Sequence, residues 1–399
     1  MTRSRWIAGA TVALLFLVAL VLYFGHGPVS EKQYASRPAK ESAKDQTLSD
    51  SLQRLIRRRT PSSAAPQPPP LDFSAAQKTA NTEEALTQIV EKRIVWQQEL
   101  VGQSTDSLWR QWQDAVRARN EPHRFDLIRD ALALSLHNGN AETDGVVSAM
   151  NAMLNDPGTN EAQRMALAGI LAQAASPSTV GVLVQTSLSA DLPAELRGHV
   201  LNCIAHIDTE PNDRERATAL TGLLVSGCQE PTANVEFKNA AFQGIARMGM
   251  PEGVKLLLEQ ACASGATVRE FEQAENPAAW AAYDALALVR HPDAVPTLFA
   301  AMQGVQPDSM SLLSAGHALS EMGNPSATAA LIQWGSQTGS DVSALLLEWL
   351  GRVRDEGSLE AISEAVAPNA PAFILPGNKA AVAESLRQWQ ANHEQGQSR

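Results

Sequence analysis

"GILAQAASPSTVGVLV" at 169–184 returns in altered form as "QGIARMGMPEGVKLLL" at 243–258, "DALALVRHPDAVPTLF" at 284–299 and "HALSEMGNPSATAALI" at 317–332. Each stretch reads as the end of one helix, a turn of small residues, a proline, and a second helix with apolar periodicity. The prolines form a ladder, Pro177, Pro211, Pro251, Pro292 and Pro325, continued by Glu356, at intervals of 34, 40, 41, 33 and 31 residues. Proline suits the first position of a helix, where no N–H is needed and its fixed φ is already helical. Each rung therefore predicts the start of the second helix of a hairpin. Downstream, Val180 and Leu183, Val254 and Leu257, Val295 and Leu298, and Thr328 and Leu331 fall at +3 and +6, which lines one helix face. Upstream, Leu171, Ile204, Ala246, Leu288 and Leu319 fall on the partner helix. One hairpin cannot bury both apolar stripes, so neighbouring hairpins must stack in series.

This pattern resembles the HEAT-like (armadillo-type) family of α-solenoid repeats. The resemblance implies an all-α fold, with helical hairpins wound into a right-handed superhelix. It implies no particular chemistry, because function resides in sites rather than in folds. Composition agrees with helices: aromatic residues are only 5% of 399, where sheets favour aromatic and β-branched side chains.

Charge is divided unevenly. Residues 1–60 carry ten Lys/Arg against four Asp/Glu, whereas 61–399 carry 22 against 39. So acidic a body is poorly suited to gripping phosphate backbones, and no nucleic-acid partner is expected.

The chain opens with Arg3 and Arg5 and then Trp6 to Phe24, nineteen residues without a charge. As a helix these span about 28 Å, enough for a hydrocarbon core, and cleavable signal segments are shorter. The expectation is a single transmembrane anchor over 1–26, with a cleaved signal as the alternative. The flanking arginines favour a cytoplasmic tail, which would put the body of a bacterial inner-membrane protein in the periplasm. Residues 27–80 read as a disordered, Pro-rich linker ending in "PSSAAPQPPP". Within it, Leu48, Leu52, Leu55 and Ile56 share a helical face beside Arg54 and Arg57 to Arg59, either as a lipid- or partner-binding piece or as a solvated charge run.

Helical text then becomes continuous through Thr82 to Leu100, Thr105 to Arg119, Pro122 to Leu136 and 143–154. We read 81–160 as an N-terminal helical capping region, 161–366 as HEAT-like repeats, and 367–399 as a C-terminal loop and capping helix. Trp96, Trp109 and Trp112 are read either as an aromatic binding face or as cap packing. Phe373, Ile374 and Leu375, between Pro371 and Pro376, are read either as an exposed docking peptide or as a loop folded over the last repeat.

Candidate chemistry is sparse. Cys203, Cys228 and Cys262 are an odd number, and Cys228 and Cys262 lie 34 residues apart, about one repeat. A bridge between them requires both side chains to face one interface; otherwise they are buried thiols. His199 and His206 could share a helix face, but no HxxxH, HExxH or Cys/His cluster accompanies them. No GxSxG, Walker-type or GxGxxG motif is present. The expectation is a protein without catalytic, cofactor-binding or metal residues, and not an enzyme.

The function expected is a membrane-anchored, periplasm-facing scaffold that binds another protein, with a basic patch or an extended segment, through the solenoid surface. A tethered folding helper for exported proteins, foldase-like in layout, is the alternative. Second helices usually line the concave side of such arrays, so Lys255, Glu259, Thr297 and Gln333 are the candidate surface residues.

Overall fold

The structure, a computed structural model, describes residues 83–397 apart from 119–121, 190, 211, 354 and 371. The segment Trp6 to Phe24, the linker and the Leu48 to Arg59 piece lie outside the described residues. Among the described residues no helix is long and apolar enough to cross a membrane, and there is no strand, only a single bridge between Thr267 and Ser309.

Among the described residues eighteen α-helices follow one another: α1 (Glu83–Leu100), α2 (Thr105–Ala118), α3 (Pro122–Asn138), α4 (Thr143–Asn155), α5 (Glu161–Ala174), α6 (Pro177–Leu188), α7 (Ala194–Ala205), α8 (Arg214–Gln229) and α9 (Val235–Met248). Then come α10 (Pro251–Ala261), α11 (Val268–Gln273), α12 (Pro277–Leu286), α13 (Val295–Ala301), α14 (Met310–Glu321), α15 (Pro325–Gln337), α16 (Ser343–Leu350), α17 (Glu356–Val366) and α18 (Pro376–Gln397). They sort into two layers. In the first, α1, α3, α5, α7, α9, α12, α14, α16 and α18 each touch the next member of the series; in the second, α2, α4, α6, α8, α10, α13, α15 and α17 do the same. This is a helical-repeat, all-α body.

The turns explain why each hairpin closes where it does. α5 and α9 end on left-handed residues, Ala175 (φ 45°) and Gly249 (φ 61°), whose N–H groups reach back to the carbonyls of Leu171 and Ile245. A side-chain cap follows at most rungs and supplies an acceptor for the orphan N–H groups of the next helix. Ser176 forms a reciprocal box with Thr179, and Asp213, Asn324 and Asp355 accept from Arg216, Ala327 and Ser358. Pro177, Pro251 and Pro325 then occupy the first helical turn, as the ladder predicts.

Two rungs depart from expectation. After Pro211, which is itself undescribed, the helix opens only at Arg214. Pro292 opens a 3-10 turn over Pro292–Ala294, and the α-helix starts at Val295. The cause is Pro296. An α-helix beginning at Pro292 would need the N–H of residue 296 to bond the Pro292 carbonyl, and proline has none. The Val295 N–H takes that carbonyl instead. The register turns accordingly: Ala294 and Leu298 are buried while Val295 is only half-buried. Leu288 is likewise not a core residue, because α12 ends at Leu286 and Val289 in the turn fills the position. The other stripe positions, Val180, Leu183, Val254, Leu257, Thr328, Leu331, Leu171, Ile204, Ala246 and Leu319, are all buried.

The long interval between Pro251 and Pro292 has its own cause, the inserted helix α11. Its N-terminus is closed by a box in which Thr267 caps Glu270 and the Glu270 carboxylate accepts from the Thr267 and Ala266 N–H groups. Those bonds hold the exposed Glu270 carboxyl below its usual range. Backbone bonds from Val268 to Asp308 and from Met310 to Ala266 tie the insert to the turn before α14.

Candidate functional site

The repeat grammar itself locates the outward row of the second layer. At four of the six rungs, those at 177, 251, 325 and 356, +3 and +6 point inward, so +4 and +8 point away from the first layer; at Pro211 and Pro292 the +3 residue is exposed or half-buried, and the +4 and +8 residues are exposed all the same. The residues there are Gly181 and Gln185 on α6, Glu215 and Ala219 on α8, Lys255 and Glu259 on α10, Pro296 and Ala300 on α13, Ala329 and Gln333 on α15, and Glu360 and Glu364 on α17. All are exposed except the half-buried Gly181. Because these six helices touch in series, the pairs make a continuous row. Of the four residues expected on this surface, Lys255, Glu259 and Gln333 belong to it. Thr297 does not: at +5 it is half-buried, and Pro296 and Ala300 face outward instead.

The row is less acidic than the composition of the chain suggests. Lys255 and Glu259 answer each other at 3.9 Å, one turn apart, an exposed pair of little energetic consequence. Between Glu259 and Glu360 the row is uncharged and mostly small: Pro296, Ala300, Ala329 and Gln333. Carboxylates gather at the α17 end, in Glu356, Glu360 and Glu364, and in the turns. Gly181 and Gly222, inside α6 and α8, have nothing within 4 Å of where a Cβ would stand. Glycine inside a helix costs about 0.5–1 kcal/mol relative to alanine, and among the described residues no packing contact at the missing Cβ offsets that cost.

Trp109 and Trp112 are packing residues, whereas Trp96 on α1 is half-buried. Trp112 is 1% and Trp109 6% exposed, with their rings stacked at 5.2 Å and Phe125 against Trp112 at 6.3 Å. The Phe373 loop is tied down by its backbone, the Ile374 N–H donating to the Ser336 carbonyl at 3.0 Å, while the Ile374 side chain is 60% exposed and Phe373 and Leu375 are half-buried.

The cysteines are all free. Burial pushes the thiols of Cys203 and Cys228 up to about 12 and raises that of the half-buried Cys262 as well. Cys203 Sγ lies 3.6 Å from His199 Nε2, a spacing that invites comparison with a thiol–imidazole pair. The geometry argues otherwise. His199 Nε2 lies 2.9 Å from the Met165 carbonyl oxygen, which can only accept, so that nitrogen carries the proton and cannot take one from sulfur. Burial also lowers the His199 basicity, opposite to what a thiolate–imidazolium pair needs. His206 lies past the end of α7 with Nδ1 on its own helix's Asn202 carbonyl, so the two histidines do not share a site. Among the described residues no three His, Cys, Asp or Glu side chains converge as metal ligands.

The thiol environments make a prediction. Burial holds the Cys203 and Cys228 thiols in their protonated, unreactive form. Maleimide labelling followed by intact-mass analysis should modify Cys262 first, with Cys203 and Cys228 roughly tenfold slower or more until the chain is denatured. Equal rates for all three would contradict the burial described above.

No protein-family model matches the chain, and no curated protein does. Among solved structures, human deoxyhypusine hydroxylase in complex with glycerol is similar at 15% identity over 62% of this chain and 97% of that one, with a TM-score of 0.23. This finding corrects the expectation that the chain is not an enzyme: the similar structure is an enzyme's. At that TM-score the likeness carries no argument for any particular reaction here.

Proposed function

We propose that the chain is a HEAT-like scaffold, held at the bacterial inner membrane by Trp6 to Phe24 with its body in the periplasm, that binds a segment of another protein along the second layer. The observation that carries this reading is the continuous outward row from Gly181 to Glu364. Its small, uncharged middle allows a partner backbone to approach closely, and its acidic end at α17 suits a basic residue on the same partner. Stacked repeats characteristically offer such extended surfaces. The anchor and linker are supported by the sequence of residues 1–80.

The test is photo-crosslinking in cells from the full-length chain, with the probe at Gln333 in the second layer or at Asp284 in the first. Adducts to one dominant protein from Gln333 alone, lost in Ala300→Arg and Ala329→Arg variants that keep their melting temperature, are the expected result. Equal capture from both positions would overturn the assignment of the face. A spread of unrelated exported chains would favour the folding-helper role instead.

A further inference from the structure

The edge of the body where first helices turn into second helices alternates in a way that places non-adjacent repeats in contact. The turns after α5 and α9 are two residues long, Ala175–Ser176 and Gly249–Met250, whereas 139–142, 206–213 and 287–291 are longer. The short turns are recessed. At Gly249 a Cβ would stand 2.6 Å from His291 Cβ, so that turn sits directly beneath the next one. The longer turns on either side can then reach over it.

Two arginines on the first turn of α8 do so in opposite directions. Arg216, whose Nε pairs with the N-cap carboxylate of Asp213 at 3.1 Å, points back 79 residues to the C-terminus of α3. There its guanidinium meets the His137 imidazole, and Nη2 lies 3.5 Å from the His137 carbonyl oxygen. His137 is fixed by Nδ1, 2.8 Å from the Ala174 carbonyl at the end of α5, so the cation sits at the α3 C-terminus, where the dipole favours it, beside a ring anchored to the end of α5. Arg214 points forward 79 residues, its Nε 3.1 Å from Asp293 Oδ2 in the 3-10 turn before α13. No well-directed hydrogen bond reaches that oxygen, so the attraction is chiefly Coulombic. Each arm passes over one intervening hairpin.

We infer that the first turn of α8 is a two-way brace, tying its own turn to those two repeats before and two repeats after, and that it limits how far adjacent repeats flex against one another. A stack joined only by nearest-neighbour contacts bends at every interface independently. Second-neighbour ties couple those bends. The forward arm is exposed, with the Arg214 side chain at 69%, and loosens with salt; the backward arm, with Arg216 at 20%, does so less.

Hydrogen exchange read by mass spectrometry on the full chain tests this. In Arg214→Gln, exchange in 287–295 should rise several-fold while 138–143 is unchanged; in Arg216→Gln the pattern reverses. Raising the salt to about 1 M, where screening acts within roughly 3 Å, should reproduce the Arg214→Gln pattern in the unsubstituted protein. Asp293→Asn should match it from the other side. Changes confined to 212–218 in both variants would overturn the brace, and so would a uniform rise across all repeats, which signals general destabilisation.

Discussion

Gly316→Ala is expected to destabilise the C-terminal repeats by about 3 kcal/mol, the upper part of the range for forcing extra volume into a packed interior. Gly316 lies in the middle of α14, and a Cβ there would overlap the Trp349 indole, whose Cζ3 would stand 2.6 Å away. Trp349 has nowhere to go. It is 2% exposed and sits on α16 with its ring 5.8 Å from that of Trp334, which is itself held by a 3.0 Å hydrogen bond from Nε1 to the Met302 carbonyl. The close approach of α14 and α16 therefore exists only because residue 316 has no side chain. Thermal unfolding should show a melting transition lowered by several degrees. Trp349→Leu in the same chain should recover part of the loss, since two substitutions that share one contact are not additive. Gly181→Ala is the control: its Cβ would meet open space, so it should gain about 0.5–1 kcal/mol. An unchanged Gly316→Ala melting curve would mean that the two helices are not packed this closely.

These two glycines also show what the sequence conveys and what it withholds. Both read simply as helical glycines, one packed and one free, and only the identity of the neighbour separates them. The neighbour of Gly316 is 33 residues away, on the next repeat, and the offset between stacked first helices depends on turn lengths that vary along the chain. By contrast, the proline ladder is legible because its cause is local: a fixed φ, a missing N–H and a cap within a few residues. The same locality exposed Lys255, Glu259 and Gln333, which sit at +4 or +8 from their prolines. Thr297 is half-buried for a local reason that could have been read, since Pro296 forbids an α-helix beginning at Pro292 and shifts the register. Helix α11 was hidden by the near-equality of the 40- and 41-residue intervals: the first starts inside a long turn, so that its helix opens only at Arg214, and the second holds an inserted helix. Spacing alone cannot tell them apart. The free state of the cysteines was also beyond reach, because it depends on which way two stacked helices present them.

Asn378→Leu is expected to release α18 from the end of the body. Asn378 is fully buried and closes the C-terminal loop through three bonds: Oδ1 accepts from the Val342 N–H at 3.1 Å, and Nδ2 donates to the Gly335 and Ser340 carbonyls at 3.1 and 3.2 Å. Leucine is of similar size, so the loss is chemical and not volumetric. It leaves the Val342 N–H and the Gly335 carbonyl buried without these partners and the Ser340 carbonyl part-buried without its own; the two buried groups cost about 1–3 kcal/mol each, or about 2–6 kcal/mol together. Because neighbouring repeats carry most of each other's stability, the damage should stay local. Limited proteolysis should cut within 367–397 at least a hundredfold faster, while 122–300 remains as resistant as before. Asn378→Asp separates the two halves of the amide, keeping the acceptor for Val342 but losing both donors and adding a buried charge against two carbonyls; it should be no milder than leucine. Proteolysis of Asn378→Leu at the unsubstituted rate would show that α18 is held by its apolar contacts through Ala381 and Val382 alone, and that the buried amide contributes nothing to closing the last repeat.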